Sequence, residues 1–329
     1  MRLVLSLAAL VGVAFGIWLV LHFGAEQVVE AFLSAGWQGM LAISAVYFAS
    51  QILHALAWRA LFPATSNTTR LLLWARWLRD AGANLLSVVP AIGEAIAIRE
   101  LTRHQVPFGT ATAVTVVDLT MELASLLVFT LLGVIILIFE QPTEATGWWL
   151  ALGLVICGGC IAGFIVAQHK GLFRFLEMLP ERLGWTQALP GLSDGAGIHV
   201  AIQEIYRHRS RIAGNFALHI AAWVVGAGET WVGLWFMGHQ VTLADALVID
   251  SMLHALRTVA FMVPWAAGVQ EGVYLVVGAL FGLSPQVGLG LSLLRRAREI
   301  LTGAPCLIAW QLLEPWRLLK NRGRAPLAP

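Results

Sequence analysis

Residues 69–105 read TRLLLWARWLRDAGANLLSVVPAIGEAIAIRELTRHQ, an apolar stretch interrupted at Pro90 and carrying Arg76, Arg79, Asp80, Glu94, Arg99, Glu100 and Arg103. A proline inside a helix removes a backbone donor and clashes with the turn before it, so this stretch does not run as one straight span. The piece after Pro90 is too short and too charged to cross lipid alone. Irregular backbone at membrane depth survives only where protein or a water-filled cavity satisfies it, which predicts a re-entrant hairpin over 69–105. Residues 243–283 have the same character, apolar, broken at Pro264 and followed by Gly268 and Glu271. A second hairpin is expected there, with two full spans as the alternative.

Outward from these segments the chain is apolar throughout. Hydrophobic residues make up 58% and charged residues 12%, with mean hydropathy +0.77, which excludes a soluble globular class. Runs near 3–23, 38–62, 108–138, 148–168, 212–238 and 286–313 each approach or exceed the roughly 20 residues that a bilayer requires. The fold class read from this pattern is all-α: a polytopic integral membrane protein with about six spanning helices plus two Pro-broken re-entrant hairpins, or up to eight spans. Many of the 14 tryptophans, including Trp37, Trp58, Trp74 and Trp77, sit where apolar runs meet polar connectors, as an interfacial aromatic belt requires.

Charge sets the orientation. Except for Arg257, Arg295, Arg296 and Arg298, the 21 Lys and Arg residues lie between or beside the apolar runs, at Arg2, over 59–103, over 170–211 and over 317–324. Connectors around 24–37, 139–147 and 239–245 carry Glu26, Glu30, Glu140, Glu144 and Asp245 but neither Lys nor Arg. Basic loops stay in the cytoplasm, so both termini are expected on the cytoplasmic side of a bacterial inner membrane. The first hairpin then enters from the cytoplasm and the second from outside, giving helix, helix, hairpin, helix twice in opposite orientation. The expected division is a first membrane repeat over 1–140, a second over 148–315 that contains the cytoplasmic insertion 169–211, and a basic tail over 316–329. Pro90, Gly93, Glu94, Pro107 and Glu122 in the first half line up with Pro264, Gly268, Glu271, Pro285 and Glu299 in the second. Both Glu94 to Glu122 and Glu271 to Glu299 span 28 residues, although spacings around the glycines slip by up to three.

The chemistry-bearing residues concentrate at the breaks. A charge at bilayer depth costs roughly 2.5–3.5 kcal/mol even on the mildest scale, so Arg257, Arg295, Arg296 and Arg298 require partners, water or a ligand. Guanidinium forks match phosphate oxygens bidentately, which suits a cavity for an anionic headgroup. The competing reading is an ion-pair network with Asp118, Glu122, Asp250, Glu271 and Glu299, with Glu229 as a further member or a lone protonated acid. Asp118 and Glu122 share a helix face, where they repel if unpaired and complete a buried network if they face the second-half arginines; Arg295 and Glu299 share another, with Arg296 and Arg298 pointing elsewhere. Around the first hairpin tip, Arg76, Arg79, Asn84, Pro90, Gly93, Glu94 and Arg99 form either a headgroup site or a salt-bridged pin. Cys157 and Cys160 lie in an apolar run without His or a third Cys nearby and read as packing residues. The nine histidines are scattered along the sequence and read as packing or interfacial residues.

Absent motifs narrow the class further. There is no G-x-x-x-x-G-K-[ST], H-E-x-x-H or G-x-S-x-G, so neither nucleotide hydrolysis by a P-loop nor a hydrolase site is expected, and neither cofactor nor metal is implied. The near-neutral charge of +2 argues against nucleic acid as a partner. The Arg76 to Glu94 block and the Arg257 to Glu271 block resemble the flippase-like transmembrane family of the lysylphosphatidylglycerol synthase membrane domain, over roughly residues 10–315. Length and overall pattern most resemble its hopanoid-biosynthesis-associated branch. The resemblance implies a membrane domain linked to lipid movement between leaflets, with aminoacyl transfer confined to a soluble domain that this chain is expected to lack. Translocation or handling of an anionic phospholipid or hopanoid is the leading expectation. A non-catalytic accessory of hopanoid-pathway proteins and an intramembrane lipid-modifying enzyme are the alternatives.

Overall fold

The computed structural model describes residues 14–15, 17–63, 69–86, 91–140, 195–260 and 263–322. Readings that fall on most of 3–23, on Pro90, on 148–168 with Cys157 and Cys160, on most of the 169–211 insertion and on the end of the tail lie outside the described residues. Among those described, every regular element is helical: α1 Ala25–Ser34, α2 Gly36–Ala60, α3 Thr69–Leu85, α4 Ile92–Arg103, α5 Phe108–Glu140, α6 Gly195–Arg207, α7 Arg209–Phe236, α8 Leu243–Val259, α9 Val269–Leu280 and α10 Pro285–Arg322, with a 3-10 turn at Pro264–Ala266. α2 and α5 are each long and apolar enough to cross a bilayer. The acidic connector expected over 24–37 is in fact helical. α1 buries Val28 and packs on α10, where Gly290 leaves room for Ala31.

Both broken segments fold as helix, break, helix, and their arms match in length. α3 and α8 each have 17 residues, α4 and α9 each have 12. At 1.5 Å per residue these are about 25 and 18 Å long, short of the roughly 30 Å of hydrocarbon. In the first, Gly82 and Gly93 let the arms touch backbone to backbone, and a methyl on Gly93 would collide with the Arg79 carbonyl. α4 and α9 both start from a left-handed residue, Ala91 (φ 59°) and Gly268 (φ 81°), with a glutamate at the third helical position of each. Gly268 therefore corresponds to Ala91, not to Gly93, each three residues before its glutamate, and the remaining slip of three falls between the proline and the helix start. Trp265 (φ 58°) and Ala266 (φ 45°) add two more left-handed residues at the second break, a strained backbone of the kind that persists only where surrounding structure enforces it.

Helix packing exchanges partners between the halves. α3 packs on α10 and α8 packs on α5, while α2 and α7 form the most extensive pairing. Contacts between α2 and α7 run in opposite order, Gly39 with Phe236, Val46 with Gly228, Ser50 with Ala222, His54 with His219 and Ala57 with Asn215, so the two helices are antiparallel. Small residues hold this seam close, as in membrane interiors, where tight packing and hydrogen bonds replace hydrophobic drive. α6 lays Ile198, Ile202 and Ile205, a stripe at helical spacing, against a core that contains Trp58, Leu61 and Val114. At the far end of α5, Glu140 is held above the usual carboxyl range by some loss of hydration and by the neighbouring Asp245 carboxyl, so the two acidic connectors share one face.

Candidate functional site: two charged clusters under the helix breaks

The first cluster is built by α3 and α5. Arg76 and Arg79 sit one turn apart and face Asp118 and Glu122, also one turn apart. Arg76 grips Glu122 with both forks, Nη2 to Oε1 at 2.7 Å and Nη1 to Oε2 at 3.0 Å. Arg79 donates to Glu122 Oε2 at 2.9 Å, to Asp118 Oδ2 at 3.0 Å and to Glu94 Oε1 at 3.3 Å. Two α7 side chains complete the set: Asn215 donates to Asp118 Oδ1 at 2.9 Å, and His219 Nε2 lies 3.0 Å from the same oxygen. His219 Nδ1 in turn lies 2.7 Å from His54 Nδ1 on α2. All these groups except Glu94 are buried.

The second cluster is built by α7, α8, α9 and α10. Arg295 donates to Asp250 at 2.6 Å and to Tyr274 at 3.1 Å. Arg298 donates to Glu229 at 2.6 Å and lies over the Tyr47 ring at 4.2 Å. Arg296 reaches Glu271 at 2.9 Å, whose other oxygen accepts the Gly268 N–H at 2.8 Å and so caps α9. Arg257 reaches Glu299 at 3.0 Å and Gln270 at 3.1 Å. Four arginines thus meet four carboxylates, each with a distinct charged partner. A void lined by Glu229, Thr230, Tyr274 and Arg295 has room for about one water.

The two breaks meet. Arg257 Nη2 donates to Asn84 Oδ1 at 3.1 Å, Asn84 donates to Asp80 at 3.0 Å, and the Trp265 indole reaches the Leu85 carbonyl at 3.4 Å. Exposure rises toward this junction: side chains of Arg295 and Arg298 are 6% and 4% exposed, those of Arg257, Glu94 and Arg296 17%, 23% and 23%. Matched against family models, residues 4–305 fit the one described as the lysylphosphatidylglycerol synthase TM region. The chain belongs to this family. No curated protein and no solved structure matches it. The family is a membrane family with a lipid-related role, and its paired charges here lie inside the helical body, where ionisable groups are costly.

Several residues of this family member sit differently from the sequence-based expectation. Asp118 and Glu122 face Arg79 and Arg76 of their own half, because α3 lies between them and α10. Glu299 turns to Arg257, not to Arg295, and Arg298 is buried on Glu229. In this conformation each second-half arginine is already paired with a carboxylate, and the void that Arg295 lines has room for about one water, not a headgroup. Arg99 is exposed and stacks over Trp310 at 5.6 Å, away from both clusters. The Pro264 turn stands at the junction. His54, His219 and Asn215 carried no site signal of their own, because residues 165 apart in sequence become neighbours only through the α2–α7 seam.

Proposed function

We propose that this chain moves lipid headgroups between leaflets of a bacterial inner membrane, along the junction where its two helix breaks meet. The observation that carries the reading is the bridge from Arg257 to Asn84 between partly exposed Glu94 and Arg296, above two layers of closed ion pairs. A phosphate arriving at this mouth offers the same fork geometry as the carboxylates, so Arg257 and Arg296 can exchange Glu299 and Glu271 for a headgroup without leaving a guanidinium unpaired. Lipid tails stay in the bilayer. The closed arrangement is then one end of a cycle whose other state opens the junction.

Features expected of an inverted repeat support the reading: equal arm lengths, matching left-handed starts at Ala91 and Gly268, and the exchange of α3 and α8 between halves. Two related halves that rock about a central site are a common transporter design. In this proposal both breaks are re-entrant, both termini are cytoplasmic and the activity is transport without chemistry. The hopanoid link rests on overall resemblance alone. Liposomes carrying the purified protein and fluorescent phospholipids or hopanoids in one leaflet test it directly. Faster leaflet exchange than in empty liposomes is expected; equal rates for every lipid tried would sink the proposal.

A further inference from the structure

The first cluster is short of one positive charge. Glu94, Asp118 and Glu122 face Arg76 and Arg79, three carboxylates against two guanidiniums, whereas the second cluster balances four against four. Nearby Asp80, held by the Tyr47 hydroxyl at 2.6 Å and by Asn84, deepens the deficit. His54 and His219 lie where the missing charge belongs. Asp118 accepts from Arg79 and Asn215, and the His219 tautomer with its hydrogen on Nε2 gives it a third donor. A single proton then holds His54 Nδ1 and His219 Nδ1 together at 2.7 Å. The remaining nitrogen, His54 Nε2, lies outside this chain, so one more proton can add without breaking any bond in it. The resulting imidazolium lies 3.8 Å from Glu122 Oε1, with the Trp223 ring 5.0 Å away between centroids.

We propose that His54 and His219 form a one-proton binding site in the membrane interior, and that its charge sets the rate of the headgroup path proposed above. Every element around the pair contributes to its field: Glu122 and Asp118 from α5, Arg76 and Arg79 from α3, Asn215 and Trp223 from α7, and His254 of α8, whose ring lies 4.8 Å from that of Trp223. Protonation weakens the hold of Glu122 on Arg76 by giving the carboxylate a third cation. Arg79 is bonded to both Glu122 and Glu94, so the change reaches the mouth through two hydrogen bonds. A bound metal ion fits less well, although the ligand atoms of His54, His219 and Glu122 lie within 4.8 Å of one another. Two nitrogens on a tetrahedral ion stand about 3.3 Å apart, wider than 2.7 Å, and Glu122 already holds two guanidiniums.

Two measurements on the whole protein test this. Histidine-labelled protein in nanodiscs, followed by nitrogen NMR, should show one imidazolium forming on this pair as pH falls, and H54Q should lose that signal. In liposomes the leaflet-exchange rate should change with pH by up to about tenfold per unit, the limit for a single proton, with H54Q and H219Q both flat. Neutral imidazoles throughout the folded range, a wild-type pH profile in a folded H54Q, or one tightly bound transition ion per chain would overturn the site. The two proposals fail separately. Proton uptake by a protein that moves no lipid supports the site and sinks translocation; pH-independent exchange without uptake does the reverse.

Discussion

Arg295 donates to Asp250 and Tyr274 from a position almost without exposure, and Asp250 is itself completely buried. Breaking such a pair strands a charge at a cost of about 3–5 kcal/mol. R295Q should therefore lower expression and melting temperature, and the double variant D250N/R295Q should recover part of the loss; a fully stable R295Q would show that water reaches this pair. Arg257 and Arg296 differ because the mouth already shares them between alternatives. R257Q and R296Q should melt near wild type yet slow leaflet exchange, and E94Q should behave likewise because Glu94 is one of three acceptors on Arg79. Thermal melting read beside exchange separates the two classes, and loss of stability in all four variants would reduce the mouth to architecture. The arginines and acids could be found in the sequence because charge inside apolar runs is rare. Their pairing could not, since Arg298 to Glu229 and Arg295 to Asp250 depend on which helix lies opposite α10.

At the scale of elements, the hairpin arms touch because two glycines face each other, and this makes a sharp test. G93A places a methyl against the Arg79 carbonyl and should splay α3 from α4, costing about 1–3 kcal/mol or more and moving Arg79 off its acceptors. G272A, where a methyl meets nothing within 4 Å, should be neutral or gain up to about 1 kcal/mol from helix propensity. Melting curves of the pair decide it; equal behaviour would mean that the arms do not touch as described. Helix starts were legible to within a few residues, 38 against Gly36 for α2, 212 against Arg209 for α7 and 286 against Pro285 for α10, because apolar length is a composition signal. α1 was missed because Glu26 and Glu30 gave its segment the polarity of a loop, while its buried face is a single valine and a few half-buried neighbours. Ala91 was missed for another reason: a left-handed alanine has no residue-type signature, so Gly93 was matched with Gly268 in its place.

For the whole molecule, the orientation of the two breaks decides between an inverted repeat and a chain of ordinary spans. Glu140 and Asp245 interact across connectors that carry no basic residue, and in the proposed orientation, with basic loops inside, that face is periplasmic. Val106 lies in the turn between α4 and the start of α5, at the opposite end of a 33-residue helix from Glu140. A helix of that length is about 50 Å long and exceeds the bilayer, so residues 106 and 140 belong on opposite sides. Single cysteines in a background without Cys157, Cys160 and Cys306 make this measurable in intact cells. H239C and S284C should both react with an impermeant thiol reagent from outside, because α8 and α9 leave from and return to one face. V106C should react only after permeabilisation. Labelling of V106C from outside, or protection of S284C while H239C reacts, would mean that the second break crosses the membrane completely, and the rocking of two inverted halves would lose its basis.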